Sequence, residues 1–259
     1  MEDRLKEQNK NEIEYILGLL DKITYDEGLF RQNFDDGNYV FGIIGGGDNF
    51  APLAMMSQYR TLYDTVMDMD AKIKLSIGYA IKYAYSEELM DNFSLIEKGG
   101  ETEFLSFYFV ENALFRVESL WDMLAQFYRL YYSVEVDNKG VNYYKFFNPN
   151  SPRAVKFKDK AKEIREYLDQ SDNTEVEGMW EGNHSFVNEC RDMMIHRNSP
   201  NVSTWSDYAF HMKSHPVFMI KRIVEDYYVV SDLLLEIVGI SNSEISSEVR
   251  ELLYINNKA

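Results

Sequence analysis

One cysteine, Cys190, stands in a chain of 259 residues. A single thiol excludes an intramolecular disulfide framework and a zinc site built from cysteines. Basic residues are scarce: 27 Lys and Arg face 43 Asp and Glu, and the formal charge is −16. Such a surface repels nucleic-acid phosphates and anionic membranes wherever basic residues are not gathered locally. No apolar run approaches the roughly 20 residues that cross a bilayer. Residues 1–7 are too charged for a secretory signal. The chain therefore reads as soluble and cytoplasmic, with no membrane partner. Repeats and low-complexity tracts are absent.

What is present is apolar and aromatic. Hydrophobic residues make up 45% and aromatics 15%, which is no composition for a disordered chain. At this length a sizeable core can form. Apolar residues recur at spacings of three and four, the signature of helix. The spacing predicts helices over about 11–24, 51–67 and 70–90. Gly99-Gly100 breaks the pattern, and a domain boundary is placed there. A long helix is expected over about 101–134, with Leu114, Val117, Trp121, Leu124, Tyr128 and Tyr131 on its apolar stripe. A basic helix follows over 153–169, and another over 183–197, stopped before Pro200. The last long helix starts at Pro216, buries Ile223, Tyr227, Val230, Leu234 and Ile237, and ends at Gly239. A short helix near 244–254 closes the chain. The expected fold is all-α: residues 1–99 form a helical N-terminal region and residues 100–259 a helical bundle.

Chemistry concentrates in Asn188-Glu189-Cys190-Arg191-Asp192-Met193-Met194-Ile195-His196-Arg197. On a helical wheel Asn188, Asp192 and His196 share a polar stripe, with Arg191 and His196 about 140° apart and about 7.5 Å apart along the axis. Asp192, four residues before His196, is placed to meet the imidazole, orient it and raise its pKa. A position in the last helical turn works the same way. A histidine tuned near neutrality moves protons, and an arginine binds a phosphate and stabilises developing charge. Basic residues also gather in last helical turns for purely electrostatic reasons.

Other signals are weaker. Residues 153–165 hold six basic and two acidic residues, a local charge of 6 − 2 = +4. Arg153, Lys156 and Lys160 are candidates for backbone phosphates; a solvated face balancing the acidic surface is the alternative. Gly45-Gly46-Gly47 lacks the Gly-Lys-Ser/Thr of a phosphate loop and reads as a tight turn. Cys190 falls on the apolar face, opposite His196, as a small buried hydrophobe. His184, His211 and His215 show no metal-ligand spacing; no metal or cofactor is expected. Glu111 and Glu118 on the long helix read as solvent-facing charges.

The Arg191–His196 segment resembles the R-x4–6-H signature of the HEPN superfamily, and Asp192 matches its polar residue after the arginine. The helix ending near Arg197 and the long helix from Pro216 match its helix order. The resemblance covers roughly residues 100–239 and leaves the first hundred without a counterpart. It implies a four- to five-helix bundle and a metal-independent endoribonuclease of bacterial defence or toxin–antitoxin type. Arg191, His196 and Asp192 would form the catalytic group, with Arg197 adding to the RNA-binding residues. It also implies a homodimer whose two motifs face one cleft, and leaves room for an antitoxin-like protein partner. Some members of that superfamily have lost catalysis, so a non-catalytic RNA- or protein-binding module is the alternative.

Overall fold

The computed structural model describes residues 2–31, 51–136, 141–196, 199–206 and 209–256. The Gly45-Gly46-Gly47 segment and Arg197 lie outside the described residues. The fold is all-α. Its helices are α1 (Glu2–Lys22), α2 (Ala51–Ala84), α3 (Glu87–Asn92), α4 (Glu101–Tyr131), α5 (Tyr143–Phe146), α6 (Lys158–Leu168), α7 (Asn183–His196) and α8 (Pro216–Asn256). A small antiparallel hairpin, β1 (Thr204–Ser206) and β2 (Ala209–His211), interrupts the segment between α7 and α8, with Trp205 opposite Phe210. None of the described helices is long and apolar enough to cross a membrane.

Several helix boundaries differ from those the sequence predicts: α1 begins at Glu2, not near residue 11, and three more are explained by their contacts. The expected break near residue 68 is absent, and α2 runs through it for 34 residues. Ion pairs one turn apart, Lys72 to Asp68 at 2.5 Å and Lys74 to Asp70 at 2.9 Å, span the place, so the acidic residues support the helix there. The basic segment does not start as an α-helix. Pro152–Phe157 winds as a 3-10 helix, capped by the Ser151 hydroxyl accepting from the Arg153 amide, and only then does α6 begin.

Gly239 does not terminate the last helix. α8 continues through it for 41 residues in all. Beyond it Ser241, Ile245 and Val249 stay buried. The Phe30 amide donates to Asn242 Oδ1 at 2.7 Å, and Tyr131 donates its hydroxyl to Glu244 at 2.6 Å. Those contacts outweigh the roughly 1 kcal/mol a mid-helix glycine costs.

α2, α4 and α8 pack together along their lengths. Tyr63, Val66 and Ile77 of α2 join Leu114, Val117 and Trp121 of α4 and Ile223, Val230 and Leu234 of α8 in one buried cluster, with Ile16 and Leu20 of α1. The Gly99-Gly100 position is the N-cap of α4, and residues on both sides of it share this core.

Candidate functional site

α7 enters the fold through Gly182, whose φ of +72° is left-handed and whose added Cβ would meet the Asp172 amide nitrogen at 2.6 Å. Glycine alone fits there without strain. Buried Asn183 then fixes the helix start on α8, donating to the Trp180 carbonyl at 2.6 Å and to Glu225 at 2.9 Å. With the entry set, the rotation of α7 is set.

That rotation turns a different polar line inward from the one the wheel suggests. His184, Asn188 and Arg191 lie at i, i+4 and i+7 and face α4. Asp192 and His196 point outward and are exposed. Arg191 keeps 28% of its side chain exposed and Glu118 only 9%. The guanidinium Nη2 donates to Glu118 Oε1 at 2.9 Å and to Asn188 Oδ1 at 3.0 Å. Asp192 stands 3.4 Å from Nη1. Thus Asp192 meets Arg191 and not, as its spacing predicts, His196. Among the described residues the His196 imidazole has no side-chain partner.

Glu118 is the outer end of a buried polar chain. Tyr143 donates its hydroxyl to Glu118 Oε1 at 2.9 Å and lies 2.9 Å from His184 Nε2. His184 Nδ1 lies 3.3 Å from Asp226 Oδ2. Asp226 also accepts from Trp121 Nε1 at 3.1 Å and from the Tyr167 hydroxyl at 3.0 Å. The Trp121 ring meets the imidazole edge to face at 4.9 Å. Five elements, α4, α5, α6, α7 and α8, thereby converge on one line of hydrogen bonds. Burial pushes the Glu118 carboxyl above its usual range, against the opposing pull of His184, Tyr143 and Arg191. Asp122 is raised by burial too, although it accepts from the Tyr143 amide at 3.1 Å. The other named acid, Glu111, is raised by burial while the Ser199 hydroxyl donates to it. Glu111 and Glu118 are thus partly or wholly buried, not the solvent-facing charges that composition favours.

The remaining candidates divide. Arg153 is exposed in the 3-10 turn. Lys156 donates to the Tyr132 carbonyl at 2.7 Å, and Lys160 is paired with Glu163 and Glu236 at 2.9 and 2.8 Å. No hydrogen bond or ion pair joins these three to Arg191 or His196 among the described residues, so the structure does not assemble them into one site. Burial drives the Cys190 thiol up to about 12, which makes it a poor nucleophile. Among the described residues no three His, Cys, Asp or Glu side chains converge as metal ligands.

Sequence reasoning passes over Tyr143, His184 and Asp226. A signal existed for two of them. Asp226 sits inside the apolar run Ile223-Val224-Glu225-Asp226-Tyr227-Tyr228-Val229-Val230, where a carboxylate must find donors. His184 shares a helical face with Arg191 at i+7. Nothing local points to Tyr143. Compared with family models, curated proteins and solved structures, the chain has no match.

Proposed function

We propose that the protein is a metal-independent endoribonuclease of the HEPN type. In this reading Arg191 binds the scissile phosphate and His196 transfers the proton as the RNA 2′-hydroxyl attacks its own phosphodiester, leaving a 2′,3′-cyclic phosphate and a 5′-hydroxyl. The observation that carries it is an arginine held by Glu118 with 28% of its side chain still exposed, on a helix whose last residue is an exposed histidine. A guanidinium oriented before substrate arrives loses little entropy on binding phosphate. A homodimer with both motifs in one cleft, a cytoplasmic defence or toxin setting and an antitoxin-like partner belong to the same proposal. RNA contacts by Arg153 and Arg197 extend it.

A second reading is favoured by the charge around Arg191. Glu118, Asp122 and Asp192 surround one guanidinium, which suits a non-catalytic helical module binding RNA or protein better than a phosphate trap. The deciding experiment incubates labelled single-stranded RNA with wild type, Arg191→Ala and His196→Ala in EDTA. Each substitution is expected to lower the rate by about 10²–10⁴. Wild-type protein that cuts no RNA, or an alanine variant that cuts as well, removes the nuclease and leaves the module.

A further inference from the structure

We infer that Glu118 and His184 share one proton through the Tyr143 hydroxyl, so that the charge beside Arg191 is coupled to a buried histidine the motif does not include. The argument counts donors. Tyr143 has one hydroxyl proton and two partners, Glu118 Oε1 and His184 Nε2, each at 2.9 Å. On the far side, Asp226 receives Trp121, Tyr167 and His184 Nδ1, which sets it as an ionised acceptor and puts a proton on Nδ1.

Two arrangements satisfy every contact. In the first, His184 holds protons on both nitrogens, Nε2–H donates to the Tyr143 oxygen, and Tyr143 donates to an ionised Glu118. In the second, Glu118 holds the proton and donates to Tyr143, and Tyr143 turns its own proton to a bare Nε2. One O–H and one N–H break as two O–H bonds form in new places, and the total proton count is unchanged. Both arrangements give Arg191, His184, Glu118 and Asp226 a net charge of zero. The first sets each charge against its opposite, Arg191 on Glu118 and His184 on Asp226, and is the resting state. The groups facing His184 are Glu118 and Trp121 from α4, Tyr143 from α5, Tyr167 from α6 and Asp226 from α8, with Arg191 beyond Glu118 on its own helix.

An anion on the exposed side of Arg191 places a second negative charge near Glu118. The proton then moves outward from His184 through Tyr143, Glu118 becomes neutral, and Arg191 is released to the anion. This last step rests on the nuclease or RNA-binding reading of Arg191; the shared proton does not. His184 and Tyr143 are thus positioning residues for Arg191.

The test is nitrogen NMR of the histidine rings in the full chain at pH 7, with His184 assigned by the signal lost in His184→Gln. The free protein is expected to show both His184 nitrogens protonated. In Glu118→Gln, which removes the balancing charge, Nε2 is expected to move downfield to its unprotonated position. Should that variant not fold, Tyr143→Phe removes the Tyr143 acceptor of Nε2–H and is expected to give the same signal. A neutral His184 in the wild type overturns the ion-paired resting state, and a His184 unmoved by the substitution overturns the shared proton. Titration with a 2′-deoxy oligonucleotide, which cannot be cut by 2′-hydroxyl attack, is expected to shift Nε2 downfield at saturation. Saturation with no shift overturns the coupling to the anion. Failure of the oligonucleotide to bind counts against the nucleic-acid reading alone, and the variant then decides the shared proton.

Discussion

Trp121 Nε1 donates to Asp226 Oδ2 at 3.1 Å, and the carboxylate that receives it has no solvent exposure. A tryptophan on α4 and an aspartate 105 residues later on α8 thereby tie two long core helices by a polar bond inside an apolar layer. Trp121→Phe keeps most of the ring but leaves Asp226 one donor short. A cost of about 1–3 kcal/mol is expected, read as a lower urea midpoint at unchanged slope. An unchanged midpoint would mean that Asp226 is satisfied without Trp121.

Two glycines give opposite expectations. Around Gly239, inside α8 and exposed, nothing lies within 4 Å of an added Cβ. Gly239→Ala is expected to stabilise by about 0.4–1 kcal/mol, a rise in melting temperature of roughly 1–4 °C at this size. A helix that ended at 239, as the sequence suggests, would lose stability instead. Gly182→Ala places a methyl in a left-handed residue against the Asp172 backbone. It is expected to destabilise by at least about 1–2 kcal/mol and to loosen the entry of α7.

Stability should rise as pH falls toward the ordinary carboxylate range. Burial holds the carboxyls of Glu12, Glu111, Glu118, Asp122 and Glu225 above their usual range. A carboxyl raised in the folded state contributes stability that is full below its unfolded value and lost as pH climbs through its folded value. The gain therefore lies above the ordinary carboxylate value of 4.5. His215 opposes it. Burial lowers its pKa from 6.5, so its contribution is lost as pH drops below that value. Thermal melts at constant ionic strength measure the balance, and Glu111→Gln is expected to flatten the slope. A melting temperature that falls steadily as the pH is lowered from 8 toward 5 would contradict this.

Cys190, with its thiol pushed up to about 12, is expected to resist alkylation at pH 7.5 in the folded protein and to react fully in urea. Rapid labelling under native conditions would mean that α7 opens.

Asp192→Asn tests which residue Asp192 serves. It is half-exposed and pairs with Arg191. The substitution is expected to leave the pH optimum of RNA cleavage in place and to change KM by no more than about fivefold, since exposed pairs are worth under about 1 kcal/mol. A shifted optimum would show that Asp192 acts on His196 instead.

The spacing of apolar residues by itself determined that this chain is helical, and it located the stripes of α4 and α8 and the start of α7 at Asn183. It did so because helical burial is local: a face repeats every three to four residues whatever it packs against. Tertiary structure alone decided where α8 ends, since the contacts of Phe30 and Tyr131 with Asn242 and Glu244 come from distant segments. It decided, too, which polar line of α7 turns inward. The wheel ranks Asn188, Asp192 and His196 as one stripe, yet Gly182 and Asn183 fix a rotation that buries His184, turns Asn188 and Arg191 toward α4 and leaves Asp192 and His196 exposed. Tyr143, His184 and Asp226 are legible as a group only after folding, because a buried hydrogen bond depends on geometry between helices and leaves no period in the chain.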